Sequence, residues 1–285
     1  MIKLSAFSDE ACDGLRGQIE AMLENNVYMT ELRSIDGVNI KDMTEDMARE
    51  YAKQLSDAGI AVSAIGSPLG KVSIDTDMDE YEAVIRHVCR LANIFGTDRI
   101  RVFSFFEAYE ARDRVIAAMQ RMVDIAAEYG LTLFHENEKD IYGDTADRVL
   151  DLQRNVKGLK FIYDPANFLQ IGESTDRTLT EILPLCGHFH IKDYDTASGE
   201  LVPAGMGSGE IGAIIDAICA VEGDAILVLE PHLKVFSGYA AIDGEPMKHR
   251  FDFETNRQAF DFAAGALGDL LKAHGYTATK GGYVK

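Results

Sequence analysis

The sequence is poor in the residues that mark secreted, fibrous and disordered proteins. It has 4 cysteines, with no Cys-x-x-Cys pair, and 6 prolines among 285 residues. A disulfide framework and a zinc knuckle are therefore excluded as organising features. Hydrophobic residues make up 47% and charged residues 26% of the chain, which is the balance of an ordinary globular protein.

Long apolar runs are also missing. The longest uninterrupted runs have five residues, as at 225–229, whereas a membrane-spanning helix needs about 18 or more. The N-terminal segment 1–7 has no apolar stretch of signal-peptide length and is predicted to be a strand. We therefore expect a cytoplasmic protein without a membrane partner.

Positive charge is scarce, because 28 Lys and Arg stand against 47 Asp and Glu, a formal net charge of −19. Affinity for nucleic acids comes mainly from basic side chains that neutralise phosphates, so this acidity argues against a nucleic-acid partner. The expected partner is a small-molecule substrate. No stretch identifies an interface between copies of the chain, so a homo-oligomer stays an open alternative.

What is present is a regular alternation of short β-like runs and amphipathic helical stretches. Eight strands are predicted, near residues 2–7, 28–33, 60–66, 99–105, 131–136, 159–164, 188–192 and 225–230. Their spacing leaves room for a crossover helix between successive strands, as parallel strands require. Eight such repeats predict an α/β protein with a (β/α)₈ TIM barrel fold, and the first loop lacks the GxGxxG that usually marks an open doubly wound sheet. We expect one domain over 1–285, with 277–285 as a loose tail.

Ionisable residues end four consecutive predicted strands, in the order Glu136, Asp164, His190 and Glu230. The C-terminal ends of barrel strands meet at one face, where barrel enzymes have their active sites. Three carboxylates converging there would repel one another, and a divalent cation removes that cost. The pattern therefore predicts a metal site that favours Mn²⁺, with Co²⁺, Mg²⁺, Zn²⁺ and Fe²⁺ left open.

Each of these residues taken alone has an ordinary explanation. A single Asp or Glu after a strand is most often a loop residue or a helix N-cap. A lone His190 is more often a core histidine whose hydrogen bonds are satisfied than a ligand. The recurrence of all four on neighbouring strands is what favours a metal site over these explanations.

Several motifs extend the strand ends: Glu136-Asn137 with Gly143-Asp-Thr145, Asp164-Pro-Ala-Asn-Phe168, His188-Phe-His-Ile-Lys-Asp193 and Leu229-Glu-Pro231, with weaker matches at Glu31-Leu-Arg33 and Ile100-Arg-Val-Phe103. With these motifs the chain, over essentially 1–275, resembles the xylose isomerase-like TIM barrel family. This is the sugar phosphate isomerase/epimerase group, which includes ketose 3-epimerases, inosose dehydratases and an apurinic endonuclease branch. The motifs are specific for the fold and the metal site but do not identify a substrate.

The resemblance implies that Glu136, Asp164, His190 and Glu230 bind one divalent metal ion. It also implies that Glu136 and Glu230 are catalytic, as acid and base on opposite faces of the substrate. The expected activity is that of a metal-dependent isomerase or epimerase of a sugar or sugar-like ketose. One glutamate would remove the proton next to the carbonyl, giving a cis-enediolate, and the other would return a proton.

Two positions differ from the epimerases of the family. Asn167 stands where they commonly have a substrate-binding histidine, and Thr196 where ketose 3-epimerases tend to have an arginine. Both differences argue against a simple free-ketose 3-epimerase. If the enediolate lost a β-hydroxyl instead of being reprotonated, the same site would be that of a metal-dependent dehydratase (lyase) of an inosose or related polyhydroxy ketone, which is the alternative. Asn167, Lys192 and His232 are the candidate substrate-binding residues, and Lys192, His232 or Glu138 could protonate the leaving group of a dehydratase.

A glycine-rich segment, 205–209, precedes the predicted seventh helix, and its backbone N–H groups could hold a substrate phosphate. Glu210 directly after it would repel such an anion. The sequence leaves open whether the substrate is phosphorylated. A catalytically inactive binding barrel is a further alternative, whereas an endonuclease would need extra metal ligands and a basic groove that this acidic chain does not suggest.

Overall fold

Eight parallel strands close into a barrel in the computed structural model, which describes residues 1–219, 224–236 and 250–285. The barrel strands are Ile2–Ala6 (β1), Met29–Leu32 (β2), Ala61–Ile65 (β3), Arg99–Val102 (β4), Thr132–Glu136 (β5), Lys160–Tyr163 (β6), Cys186–Ile191 (β7) and Ala225–Leu229 (β8). Each strand pairs with the next, and β1 closes the barrel on β8 with Ile2 opposite Ala225. The predicted TIM barrel and its eight strands are confirmed.

Helices follow the strands and pack around the barrel. They are Leu15–Glu24 (α1), Glu45–Asp57 (α2), Met78–Phe95 (α3), Arg112–Glu128 (α4), Ala146–Asn155 (α5), Pro165–Gln170 (α6), Thr175–Glu181 (α7), Ile211–Cys219 (α8) and Asn256–Ala273 (α9). Short hairpins follow β2, at Ser34–Ile35 and Val38–Asn39, and β7, at Asp193–Asp195 and Glu200–Val202. Within the described ranges, no helix is both long and apolar enough to cross a membrane.

Side-chain alternation along the strands separates the main core from the barrel interior. Leu227 and Leu229 of β8 belong to the large cluster between the barrel and its helices. Ile226 and Val228 belong instead to a small cluster with Phe7. Successive side chains of a strand point to opposite faces, so this second cluster lies inside the barrel. Because His190 of β7 is the register partner of Val228, its side chain also points inward.

The C-terminal residues 277–285, expected to be a loose tail, form a hairpin instead. Its strands are Thr277–Thr279 and Gly282–Val284, and Tyr283 pairs with Ile2 of β1. Strand β2 pairs with β1 only from Ser5 onward, so the start of β1 is open on that side and accepts the hairpin. The expectation failed because the segment has no apolar periodicity, and its order comes from pairing with the opposite end of the chain.

We predict that Tyr283→Ala lowers the free energy of unfolding by about 3 kcal/mol, since the ring is 6% exposed and its removal leaves a cavity. Val284→Ala is the matched control, because Val284 is 36% exposed, and it should change stability by less than about 0.5 kcal/mol. Urea denaturation followed by circular dichroism measures both. Equal stability of the two variants would contradict an anchored hairpin.

Candidate active site

The four predicted metal ligands meet at the C-terminal face of the barrel. Glu136 is the last residue of β5, His190 lies near the end of β7, and Asp164 and Glu230 directly follow β6 and β8. Each offers one ligand atom, and these atoms all lie within 4.8 Å of one another. None of the four residues is more than 2% exposed. The structure therefore brings the four together, and their role as metal ligands stays a prediction.

His190 lies between the two glutamates. Its Nδ1 is 3.0 Å from Oε1 of Glu136 and 3.1 Å from Oε2 of Glu230. The ring meets Phe7 edge to face, with centroids 5.2 Å apart. Burial by itself disfavours the charged imidazole, but Glu136 and the other neighbouring carboxylates outweigh it, so the pKa of His190 is raised well above its ordinary value in the metal-free protein.

Backbone contacts hold Asp164 in place. Its Oδ1 accepts the N–H of Asn167 at 3.0 Å and so caps α6, which begins with Pro165. The side chain of Asn137 accepts the N–H of Asp164 at 3.1 Å and donates to its carbonyl at 2.9 Å. Oδ2 is left to face Lys192, whose Nζ is 2.9 Å away. Burial raises the pKa of Asp164 to about 6, although Lys192 opposes the shift.

Arg33, at the end of β2, supports one side of the site. Its guanidinium makes a bidentate pair with Asp9, at 2.8 and 2.9 Å, and lies 3.5 Å from Oε1 of Glu230. The group is enclosed by the rings of Phe7 and Phe236, with centroids at 4.4 and 4.5 Å. Because Asp9 and the two rings hold the guanidinium in place, Arg33 provides a fixed positive charge beside Glu230.

Lys192 and Arg101 are the other buried cations of the site. Besides Asp164, Nζ of Lys192 lies 3.7 Å from Oε2 of Glu230. Nη1 of Arg101 donates to Oε2 of Glu136 at 3.1 Å. Each proposed carboxylate ligand therefore has a basic neighbour, which reduces the repulsion among the acids in the absence of a metal.

Acidic groups nevertheless outnumber basic ones in this buried cluster. Its acids are Asp9, Glu10, Glu31, Glu136, Asp164 and Glu230, and its bases are Arg33, Arg101 and Lys192. His190, whose pKa is raised, adds a fourth cation in the metal-free protein. Once a metal ion displaces its proton, six carboxylates face three cations, and a divalent ion would offset most of the excess. Within the described part of the chain, Oδ2 of Asp164 and Oε2 of Glu230 accept no well-formed hydrogen bond, and their neighbours are the ammonium of Lys192 at 2.9 Å and Nδ1 of His190 at 3.1 Å. The excess of negative charge and these carboxylate oxygens fit a divalent cation.

The three candidate substrate-binding residues lie at the same site. Lys192 has been described above. Asn167 donates from Nδ2 to Oε1 of Glu136 at 3.3 Å. Nε2 of His232 lies 3.2 Å from Oε1 of Glu10 and 3.4 Å from Oε1 of Glu230. Each of the three is only 5% exposed. A molecule bound over the glutamates could therefore reach them only through the opening at the C-terminal end of the barrel.

The structure places two other residues from the sequence analysis away from this cluster. Thr196 lies in the exposed hairpin after β7, where its hydroxyl is 3.0 Å from that of Ser208. Glu138 pairs with Lys71 at 2.8 Å, and that ammonium lies over the ring of Phe103. Among the hydrogen bonds and ion pairs of the described residues, neither residue contacts the four predicted ligands.

Sequence reasoning gave no role to Glu31, Arg101 or Glu10. Oε2 of Glu31 lies 2.6 Å from Nε2 of His188 and 3.1 Å from Nε2 of His190. Burial opposes the charge of Glu31, but the two histidines outweigh it and lower its pKa well below the ordinary range. The signal available in the sequence was a charged residue inside an otherwise buried strand, as at Glu31 in β2 and Arg101 in β4, because such a charge needs a partner.

The backbone N–H groups of the glycine-rich segment 205–209 bind the side-chain carboxylate of Asp193. The N–H groups of Gly205 and Gly207 donate to Oδ2 of Asp193 at 2.9 and 3.0 Å, and that of Gly209 donates to Oδ1 at 2.9 Å. A Cβ at Gly207 would lie 2.4 Å from this carboxylate, so the close approach requires glycine. A phosphate site on this segment, which the sequence left open, is therefore disfavoured, because a side-chain carboxylate takes these amides.

We predict that Asp193→Ala lowers the free energy of unfolding by about 3 kcal/mol, because it leaves backbone donors without their acceptor. Asp195→Ala is the control from the same hairpin. Asp195 pairs with Arg250 and accepts hydrogen bonds from Ala197 and Ser198, all of them solvent-accessible contacts, so its loss should cost less, about 1 kcal/mol. Equal losses in urea denaturation would show that Asp193 does not organise the segment.

The acidic, histidine-containing cluster lies at the C-terminal ends of the barrel strands, the face on which TIM-barrel enzymes have their active sites. Residues 27–246 match the family model described as xylose isomerase-like TIM barrel. The chain therefore belongs to the xylose isomerase-like TIM barrel family. No curated protein sequence matches the chain significantly.

Solved structures share this fold at low sequence identity. An L-ribulose 3-epimerase aligns with TM-score 0.74 and 17% identity over 96% of this chain and 95% of its own. The IolI protein, with a bound zinc atom, aligns with TM-score 0.72 and 14% identity over 95% and 98%. AsbF from Bacillus anthracis, a probable 3-DHS dehydratase involved in petrobactin synthesis, aligns with TM-score 0.70 and 18% identity over 93% and 98%. These similarities show that the chain shares the fold of the three proteins.

Proposed function

We propose that this protein is a divalent-metal-dependent isomerase or epimerase that acts on a sugar or sugar-like ketose. The observation that carries the proposal is the buried cluster in which Glu136 and Glu230 both lie about 3 Å from Nδ1 of His190. Membership of the xylose isomerase-like family supports it. The fold-level similarity to an L-ribulose 3-epimerase is consistent with the same reaction class.

The proposed metal ligands are Glu136, Asp164, His190 and Glu230, with Mn²⁺ as the favoured ion. Bound there, a divalent ion would polarise a ketone oxygen and stabilise negative charge developing next to it. Lys192 adds a fixed positive charge to the same group of carboxylates. The zinc in the IolI structure is a precedent for a metal in this fold.

Glu136 and Glu230 are the proposed acid–base pair. Burial alone would raise both pKa values, but His190 and Arg101 lower that of Glu136, and Lys192 and His190 lower that of Glu230. Ionised carboxylates can accept a proton, so one of them removes the proton α to the substrate carbonyl. The other takes a proton from solvent and donates it to the opposite face of the same carbon, and the proton removed by the first is later released to solvent.

The charges of the site favour an uncharged polyhydroxy ketone over a phosphorylated one. Arg33, Arg101 and Lys192 each already face a carboxylate. The amides of segment 205–209 are bound to Asp193. A phosphate would have to displace one of these partners or add its charge to an acidic cluster, and both are unfavourable.

A metal-dependent dehydratase of an inosose or related polyhydroxy ketone is the second candidate. Lys192 and His232 favour it, because both lie beside Glu230 and either could protonate a departing β-hydroxyl. The similarity to AsbF is consistent with it at the level of fold. Incubation with a panel of ketoses and inososes separates the two activities, since an epimer keeps all its hydroxyl groups and a dehydration product has lost water.

We predict that the protein binds about one divalent ion per chain. His190→Ala should weaken Mn²⁺ binding by at least about tenfold and His188→Ala by much less. His188 is two residues earlier on β7, so it faces the same way one level deeper in the barrel. Elemental analysis and calorimetric titration of Mn²⁺ measure these effects. Equal losses, or no binding tighter than about millimolar in the unaltered protein, would contradict the proposed site.

We also predict that Glu136→Gln and Glu230→Gln each reduce turnover by at least about 100-fold while the circular dichroism spectrum is unchanged. Glu20→Gln on the surface of α1 is the control for the same chemical change. In D₂O the unaltered enzyme should place deuterium at the substrate carbon that is inverted. A variant with one working glutamate can still exchange that proton on one face. Full activity in both site variants would reject the pair.

A further inference from the structure

A carboxylate beneath the proposed metal site contacts two imidazoles through one oxygen atom. Oε2 of Glu31, on β2, lies 2.6 Å from Nε2 of His188 and 3.1 Å from Nε2 of His190, both on β7. All three side chains are buried. These contacts reach across the barrel interior, because β2 and β7 are not neighbours in the sheet.

Both nitrogens of His190 face carboxylates, Nε2 that of Glu31 and Nδ1 those of Glu136 and Glu230, so in the metal-free protein each can donate a hydrogen bond. A metal ion binds the lone pair of one nitrogen and leaves a neutral imidazole with hydrogen on the other. Glu31 is placed to accept the hydrogen of Nε2, which leaves Nδ1 for the metal. Nδ1 is the nitrogen that faces Glu136 and Glu230.

We propose that Glu31 is a positioning residue that holds His190 with hydrogen on Nε2 and with Nδ1 directed at the metal site. This role rests on the metal site of the proposed function. A residue that accepts a hydrogen bond from a metal-binding imidazole, without touching the metal, orients the ring and increases its basicity. Loss of such a residue typically weakens metal binding by about 10–100-fold. Glu31 itself is not a proposed ligand.

Neighbouring aromatic rings restrict the orientation of the His190 imidazole further. Phe7 meets His190 edge to face, and the ring of His188 is 5.5 Å away at 71°. Within the described residues, Oε1 of Glu31 accepts no well-formed hydrogen bond, and its nearest cation is Nε of Arg101 at 3.9 Å. The orientation of Glu31 therefore depends mainly on the two imidazoles, and its effect passes directly to them.

A second metal site is the competing explanation, because Glu31, His188 and His190 also place three ligand atoms within 4.8 Å of one another. A single divalent ion is expected at the proposed site first, because that site offers three carboxylates and four ligand atoms, against one carboxylate and three ligand atoms here. Two metal ions per chain would identify this alternative.

The first experiment uses the unaltered protein, labelled with ¹⁵N-histidine and loaded with Zn²⁺. Nuclear magnetic resonance should show a one-bond N–H correlation at Nε2 of His190, with Nδ1 shifted as a metal-bound nitrogen. Variants His188→Gln and His190→Gln assign the signals. Hydrogen on Nδ1, or metal bound at Nε2, would overturn the role of Glu31. This measurement uses the unaltered Glu31, so it does not depend on whether a Glu31 variant folds.

The second experiment compares Glu31→Gln with Glu10→Gln. Both remove a buried negative charge from the same cluster, but Glu10 contacts Arg33 and His232 and not His190. Calorimetric Mn²⁺ titration should show affinity reduced by at least about tenfold for Glu31→Gln and by less than about threefold for Glu10→Gln. The Nε2–H signal of His190 should shift or exchange faster with solvent in Glu31→Gln alone.

The outcomes separate this inference from the proposed function. Equal affinities in the two variants, or a stoichiometry of two ions per chain, would overturn the role of Glu31 and leave the metal site in place. Absence of metal binding by the unaltered protein would overturn both. Neither measurement depends on knowing the substrate.

Discussion

The arrangement of this site depends on the cost of burying like charges together. Carboxylates at the mouth of the barrel lie within a few ångströms of one another and out of contact with bulk water. Arg33, Arg101 and Lys192 reduce the repulsion without cancelling it, because the acids outnumber them. Electrostatic attraction for a divalent cation follows from this imbalance.

The barrel fold creates that imbalance from residues far apart in the chain. Parallel strands direct their C-terminal ends to one face, so a residue that ends β5 meets residues that follow β6 and β8. Alternation along each strand then decides which side chains enter the interior, as with His188 and His190 on β7. The helices outside supply the apolar burial that holds the strands in this geometry.

Periodic features were predictable from the sequence, and contacts across the barrel were not. The eight strands, the TIM barrel and the convergence of Glu136 with Asp164 followed from strand spacing and from the direction common to parallel strands. The contact of Glu31 with His190 depends on which residues face each other across the interior, which no local pattern records. The C-terminal hairpin and the carboxylate of Asp193 in the glycine-rich segment escaped prediction for the same reason, since their partners lie elsewhere in the chain.

The side chain of Asn137 bonds both backbone groups of Asp164 and therefore fastens the end of β5 to the end of β6. Glu136 is the neighbour of Asn137, so two proposed ligands are carried by one rigid frame. The conformational entropy of bringing them together is lost when the chain folds and not when an ion arrives. On this side, the proposed ion site is therefore already formed before an ion binds. The selectivity of the site would depend on how little the frame adjusts to ions of different radius.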